Sequence, residues 1–232
     1  MHDPLPAAAG VAPGLNQALA QAGVWRGGAR LASTPQALVS GHAALDERFP
    51  QGLWPHAAVS ELLGEPGATL RLLLPALARL SAGQRWIAWI APPALPYAPG
   101  LIAAGLQLSR MLLVWPKTAA ARVWALEQAL AGGTCAAVLA WPDRDGRMVT
   151  GSLRRLQLAA ARGDACGFLF RPAALARGST PAALRVRLQP GGAGLDLHVL
   201  KRRGGWAGQR IAVDLGACVA NHVSGFVSTE TE

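Results

Sequence analysis

The chain is poor in cysteine, in phenylalanine and tyrosine, and in charged residues. Its 232 residues include three cysteines, four phenylalanines and one tyrosine, and only 15% of them are charged. Three widely separated cysteines (Cys135, Cys166 and Cys218) are too few for a disulfide framework and lack zinc-ligand spacing. We therefore expect reduced, buried thiols in a cytoplasmic protein.

Long apolar runs are also absent, although 51% of the residues are hydrophobic. No window of about 20 residues is apolar throughout and free of arginine and proline, which excludes a helix that spans a membrane. The first 25 residues hold Asp3 and three prolines but no lysine or arginine, so we expect no secretory signal. The apolar fraction excludes a disordered chain and is large enough for a sizeable core.

Lysine is nearly missing from the cations, because Lys117 and Lys201 are the only lysines among 22 basic residues. The basic residues concentrate between Arg144 and Arg210. This segment contains thirteen basic residues and three acids, which gives a net charge of +10. This excess indicates a polyanionic partner, either nucleic acid or an acidic protein. A solvated basic surface that keeps an apolar domain soluble is the alternative.

Short apolar runs alternate with helical periodicity from residue 57 onward. This alternation predicts a mostly parallel sheet flanked by helices, an α/β fold. After residue 183 the pattern changes to polar and apolar residues in alternation, joined by glycine-rich turns, which predicts C-terminal antiparallel strands. The predicted strands are 57–63, 86–91, 111–115, 135–141, 166–170, 184–189, 195–201 and 209–215, and the predicted helices are 15–22, 69–81, 101–108, 119–131 and 153–162.

A short glycine turn follows the first of these strands and precedes a helix, which is the setting of a phosphate-binding loop. Its residues are Gly64, Glu65, Pro66, Gly67, Ala68 and Thr69. A working loop has four residues between its glycines and then Lys and Ser or Thr, so this turn is two residues short. Glu65 would repel phosphate and Pro66 donates no amide hydrogen, so we interpret the turn as a degenerate P-loop.

Several segments in order resemble the recombinase RecA, and more closely the ImuA-type accessory proteins of translesion synthesis. They include SGHAALDERFPQGLWPHAAVSELLGEPGATL, WALEQAL, AVLAW, LRRLQLAA and VLKRRGG, and the resemblance covers residues 41–215. It implies a RecA-like core at 41–216 between an N-terminal adaptor segment at 1–40 and a C-terminal tail at 217–232. It also implies that the phosphate lysine falls on Ala68, the catalytic glutamate on Pro92 and the metal-orienting aspartate on Trp141 or Ala140.

With these three groups lost, we expect no enzyme, no cofactor and no bound metal, because phosphoryl transfer depends on positioned charges. The five histidines do not change this, since none has ligand or triad spacing to an acid. Contact residues are then the candidates for function. The candidate partner anchors are Trp25, Trp54 and Trp206. The candidate DNA or partner contacts are Arg144, Arg147, Arg154, Arg155, Arg171, Arg177, Lys201, Arg202 and Arg203.

The resemblance predicts a non-catalytic adaptor in SOS-induced translesion DNA synthesis. Its expected partners are a Y-family-like subunit and an error-prone DnaE-type polymerase, with RecA and single-stranded DNA as further candidates. We expect a cytoplasmic protein that joins the nucleoid during DNA damage. Two alternatives are an active RecA/RadA-type DNA-dependent ATPase and a filament-capping regulator of RecA or of cell division.

Overall fold

The computed structural model describes residues 37–142, 148, 150–192 and 194–215. The helices are α1 (Ala43–Arg48), α2 (Pro66–Ser81), α3 (Ala98–Ala103), α4 (Ala119–Ala131) and α5 (Thr150–Arg162). The strands are β1 (Ala37–Leu38), β2 (Trp54–Pro55), β3 (Val59–Leu63), β4 (Trp86–Ile90), β5 (Met111–Val114), β6 (Cys135–Ala140), β7 (Cys166–Arg171), β8 (Leu184–Gly191), β9 (Gly194–Arg202) and β10 (Arg210–Asp214). The predicted helix 15–22 and the predicted tail 217–232 lie outside the described residues.

Eight strands form one large sheet in the order β10-β9-β8-β3-β7-β6-β4-β5. The six strands from β8 to β5 along this order are mutually parallel, and β8, β9 and β10 are joined by antiparallel pairing. The prediction of a mostly parallel sheet with helices on its faces and antiparallel C-terminal strands is confirmed. Strands β1 and β2 form a separate antiparallel pair, in which residues 37–38 lie opposite residues 54–55.

Local sequence explains where the longer helices begin and end. The hydroxyl of Thr118 accepts the amide hydrogen of Ala121 and so starts α4, while Gly132 follows its last residue. In α2, Pro66 occupies the first turn, where its missing N–H costs nothing. Pro75 lies inside the same helix, whose leucines nevertheless pack into the core.

The core lies on both faces of the sheet. One face packs against α2, and the core there contains the buried aromatic residues Trp89 and Phe168 of the sheet and Trp54 of β2. The other face packs against α4 and α5 and is built from smaller side chains such as Val59, Val138 and the alanines of α5. Among the described residues, no helix is long and apolar enough to cross a membrane.

Two predictions between β4 and β5 were wrong in detail. The residues 101–108 do not form one helix, because α3 ends at Ala103 and Gly105 adopts the left-handed conformation (φ 87°). The apolar segment 111–115 was predicted to be a buried strand, which is wrong. It forms β5, which lies at the edge of the sheet and leaves the side chain of Leu112 47% exposed.

Two buried cysteines allow a test of the packing at the start of β6 and β7. Desolvation by burial raises the pKa of the Cys166 thiol to about 12 and also raises the pKa of Cys135. Because the thiolate is the reactive species, we expect iodoacetamide at mildly alkaline pH to leave both residues unmodified in the folded chain. Peptide mass spectrometry measures this, with guanidinium-denatured chain as the control. Equal modification of Cys166 in the folded and denatured chain would contradict the burial.

Candidate functional site

In the glycine turn between β3 and α2, a carboxylate of the turn itself binds the backbone amides of the turn. The side chain of Glu65 accepts the amide hydrogens of Gly67 (2.9 Å) and Ala68 (2.7 Å). The hydroxyl of Thr69 donates to the carbonyl oxygen of Glu65 at 2.6 Å. These amides are the groups that would hold a phosphate in a working loop. Glu65 therefore serves as the N-cap of α2, and its own carboxylate takes the position of an anion.

Replacing this cap gives a measurable loss of stability. We expect Glu65→Ala to lower the free energy of unfolding by about 1 kcal/mol, because two amide hydrogens lose their acceptor. Urea unfolding followed by circular dichroism measures the change. Glu47→Ala, at an exposed position of α1, is the matched control and should change stability little. Equal midpoints for the two variants would show that Glu65 does not cap the helix.

The other two positions implied for catalytic groups are occupied by packing residues. Trp141, after β6, stacks on Phe170 with ring centroids 4.4 Å apart and on Trp89 at 5.5 Å. The carbonyl oxygen of Pro92, after β4, accepts a hydrogen bond from the indole of Trp115 at 3.2 Å. Neither position offers a carboxylate, so these strand ends contribute packing and no acid–base group.

A buried ion cluster joins three neighbouring strands in the middle of the sheet. Glu61 on β3 is fully buried and pairs with Arg171 on β7 and Arg185 on β8. The Nε of Arg185 lies 3.2 Å from the Glu61 carboxylate, although without hydrogen-bond geometry. Arg185 also donates to the carbonyl oxygens of Gly178 and Leu175, both at 2.7 Å. The cluster thus holds the connection from β7 to β8 against the sheet.

Three of the predicted nucleic-acid contacts are engaged inside the fold. Arg171 is buried in this ion cluster, and Lys201 donates to the carbonyl oxygen of Thr180. Arg202 lies over the ring of Phe49 and donates to the carbonyl oxygen of Gly52. Desolvation by burial lowers the pKa of Arg202. It is also the largest of the causes that lower the pKa of Lys201. These side chains stabilise loops, so a role in surface contact does not suit them.

The remaining predicted cations do not form one patch with them. Arg154 and Arg155 are exposed on α5, and Arg155 pairs with Glu127 on α4 at 3.4 Å. Arg177 is exposed in the connection after β7, and Arg203 is exposed after β9. Arg144 and Arg147 lie outside the described residues.

The three tryptophans predicted as partner anchors have different surroundings. Trp54 is fully buried and meets Phe168 edge to face at 5.8 Å, so it is a core residue and not an exposed anchor. Trp206 is 85% exposed in the turn between β9 and β10. Trp25 lies outside the described residues.

A different apolar surface is exposed at the β5 end of the sheet. It consists of side chains from β4, β5, the residue after β5 and the connection between the two strands, and we call it the β5-end surface: Trp86, Leu95, Tyr97, Ile102, Leu112 and Trp115. The outer edge of β5 pairs with no strand in the described part of the chain. Exposed hydrophobic residues beside an open strand edge are typical of a protein-binding site. Sequence reasoning missed this site because an apolar edge strand has the same composition as a buried one.

These features describe an α/β protein with exposed apolar residues at one sheet edge and a glycine turn capped by its own glutamate. The family model described as "Cell division inhibitor SulA" matches residues 58–167. The cell division inhibitor SulA of Yersinia pseudotuberculosis (strain IP 31758) is 34% identical over 133 residues, which cover 56% of this chain and 74% of that protein. The chain belongs to the SulA family.

The chain is also similar to two further proteins. The cell division inhibitor SulA of Photorhabdus laumondii is 34% identical over 119 residues, 51% of this chain and 65% of that protein. The crystal structure of SulA from Pseudomonas aeruginosa has 33% sequence identity and a TM-score of 0.42, and the match covers 50% of this chain and 98% of that one. The chain thus spans about two thirds to three quarters of the length of these two bacterial relatives from Photorhabdus and Yersinia.

The family assignment corrects the prediction of an ImuA-type protein. The predicted adaptor function in translesion synthesis and mutagenesis was wrong, because the relatives are cell division inhibitors. The predicted polymerase-cassette, RecA and DNA partners were wrong for the same reason. The segments that suggested ImuA include AVLAW and LRRLQLAA, which form β6 and α5 and serve packing. The relatives are named as inhibitors, which is consistent with the expectation that the chain is not an enzyme. They give no support to the interpretation of the fold as a degenerate ATPase.

Proposed function

We propose that this chain inhibits cell division by binding a protein of the division machinery, and the partner we propose is the filament-forming division protein FtsZ. Membership of the SulA family carries this proposal. The setting we propose is the SOS response, which the resemblance to ImuA-type proteins also implied. The RecA-like description of the sheet belongs to the same proposal and rests on the resemblance in sequence alone.

The β5-end surface is the docking site that the geometry favours. All six of its residues lie within the stretch that the family model matches. Burial of exposed Leu and Trp side chains would stabilise a complex by about 25 cal/mol for each Å² removed from water. The open edge of β5 offers main-chain N–H and C=O groups as well, so the partner can add a strand there.

This mechanism requires only that the chain binds its protein partner. A protein that covers an assembly surface on a filament subunit prevents the next subunit from joining, and no bond has to be made or broken. The closed glycine turn and the aromatic stack around Trp141 fit a molecule of this kind, since both strengthen the scaffold behind the binding edge.

Controlled expression of the full chain in a rod-shaped host bacterium tests the proposed function. We expect the cells to keep growing without dividing and to form long filaments with separated nucleoids. An empty vector and equal expression of an unrelated protein of similar size are the controls. Normal cell length at a chain level confirmed by immunoblot would overturn the proposal.

A further inference from the structure

Three basic side chains form a row across the C-terminal strands. His198 on β9 lies directly opposite Arg187 on β8 and opposite Arg210 on β10. Residues opposite one another on neighbouring strands share a face of the sheet. With neighbouring strands about 4.8 Å apart, the row is about 10 Å long. We call these residues the basic row.

Among the described residues, Arg187, His198 and Arg210 form no salt bridge. Asp196, two residues before His198, lies over Gly191 at the hairpin turn and forms no ion pair with the row among the described residues. Arg187 donates to the amide oxygen of Gln189 at 2.9 Å. The Nδ1 of His198 and the Nε of Arg187 are buried without a hydrogen-bond partner in that part of the chain. Arg187 and Arg210 flank His198 on either side and disfavour a positive charge on its imidazole.

The face that carries the row is partly exposed, with Arg210 exposed and Arg187 and His198 half-buried. The other face of these strands is buried in the core through side chains such as Leu197, Val199 and Val213. On the face of the row, the core beneath α4 and α5 includes no described residue of β8, β9 or β10. These three strands also lie outside residues 58–167, so the family match does not account for them.

We propose that the basic row binds an acidic segment of a protein partner. Guanidinium groups match carboxylates in a planar, two-bonded geometry, and two of the three groups are arginines. An extended peptide presents alternate side chains to one side, about 6.8 Å apart, so two carboxylates fit the length of the row. Nucleic acids and anionic membranes bind through many contacts along a longer track, which three groups do not provide. This surface lies at the opposite end of the sheet from β5 and does not depend on the proposed function.

Fluorescence anisotropy with a labelled polyglutamate peptide and the full chain tests the proposal. We expect Arg187→Gln and Arg210→Gln each to weaken binding by about tenfold, which corresponds to the loss of one charged pair. Arg154→Gln removes the same charge from exposed α5 and should leave binding unchanged. Arg210→Gln should leave Tm unchanged within about 1 °C, because Arg210 is exposed and forms no salt bridge among the described residues. A residue needed only for folding would lower Tm instead.

The remaining outcomes count against the proposal. Absence of peptide binding would overturn it, and so would an equal loss in all three arginine variants, which would indicate nonspecific charge attraction. Tighter binding of a single-stranded oligonucleotide or of phosphatidylserine vesicles than of the peptide would assign the row to a different class of partner.

The pH dependence adds a second readout. Burial, followed by repulsion from Arg210 and Arg187, lowers the pKa of His198, so this residue is neutral at neutral pH in the free chain. A bound carboxylate favours the imidazolium, so binding takes up a proton and should tighten as the pH falls from 8 toward about 6, where glutamate stays ionised. His198→Gln should remove this dependence, whereas an unchanged pH profile in that variant would overturn the role of His198.

Discussion

Replacing Glu61 by alanine should lower the free energy of unfolding by about 3–5 kcal/mol. Glu61 is fully buried and is the acid that faces both Arg171 and Arg185. Its removal leaves two buried guanidinium groups without their carboxylate. Arg185 would then be drawn toward solvent, and the connection from β7 to β8 would lose the tether at Gly178 and Leu175.

Urea unfolding of Glu61→Ala and of Glu127→Ala provides a matched comparison. Glu127 pairs with the exposed Arg155, so its loss should cost between about 0 and 1 kcal/mol because water screens that pair. Glu61→Gln, which keeps the shape and one acceptor oxygen, should fall between the two. If Glu61→Ala unfolded at the same urea concentration as Glu127→Ala, the ion cluster would not be a stabilising element.

Placing a charge on the edge strand should abolish inhibition of division without unfolding the chain. The side chain of Leu112 is 47% exposed at the centre of β5, so aspartate there remains solvated in the free protein. In a complex the carboxylate would be buried without a partner, which costs at least about 2 kcal/mol and weakens binding about 30-fold or more. Cell length after induction and titration of labelled chain with FtsZ both measure the effect.

Leu158→Asp is the matched control for this change. Leu158 is 71% exposed on α5, away from the β5-end surface, so its variant should bind and inhibit as the original chain does. An unaltered division block in cells that express Leu112→Asp would show that the partner docks elsewhere. Loss of activity in both aspartate variants would point to a general effect of charge.

The features that the sequence predicted well are those decided by neighbouring residues. The limits of α4 follow from the cap at Thr118 and the stop at Gly132, and both were predicted. Each strand of the sheet was found because its apolar run ends at a glycine, proline or polar turn. The repulsion of phosphate by Glu65 stays a prediction, and the structure instead shows its carboxylate capping α2, which the sequence did not predict.

The features that the sequence did not predict depend on contacts between distant segments. Glu61 and Arg171 are 110 residues apart and meet because β3 and β7 are neighbours, so Arg171 had the pattern of a surface cation. The open edge of β5 follows from the order of strands, which apolar composition does not specify. Trp54 was mistaken for an exposed anchor because its turn-like sequence does not show the ring of Phe168 against it.

The alignment of the basic row was missed for the same reason. Alternation along each strand shows which side chains share a face, but only the pairing register brings Arg187, His198 and Arg210 into line. The family was missed because the segments that suggested another one form the sheet and its helices, which proteins of different function share.

Sedimentation of FtsZ filaments in the presence of increasing amounts of the purified full chain tests the central claim most directly. If the chain acts by covering an assembly surface, the sedimented fraction of FtsZ should fall as the chain approaches an equimolar amount, and Leu158→Asp should act as the original chain does. An undiminished pellet in the presence of excess folded chain would contradict the account.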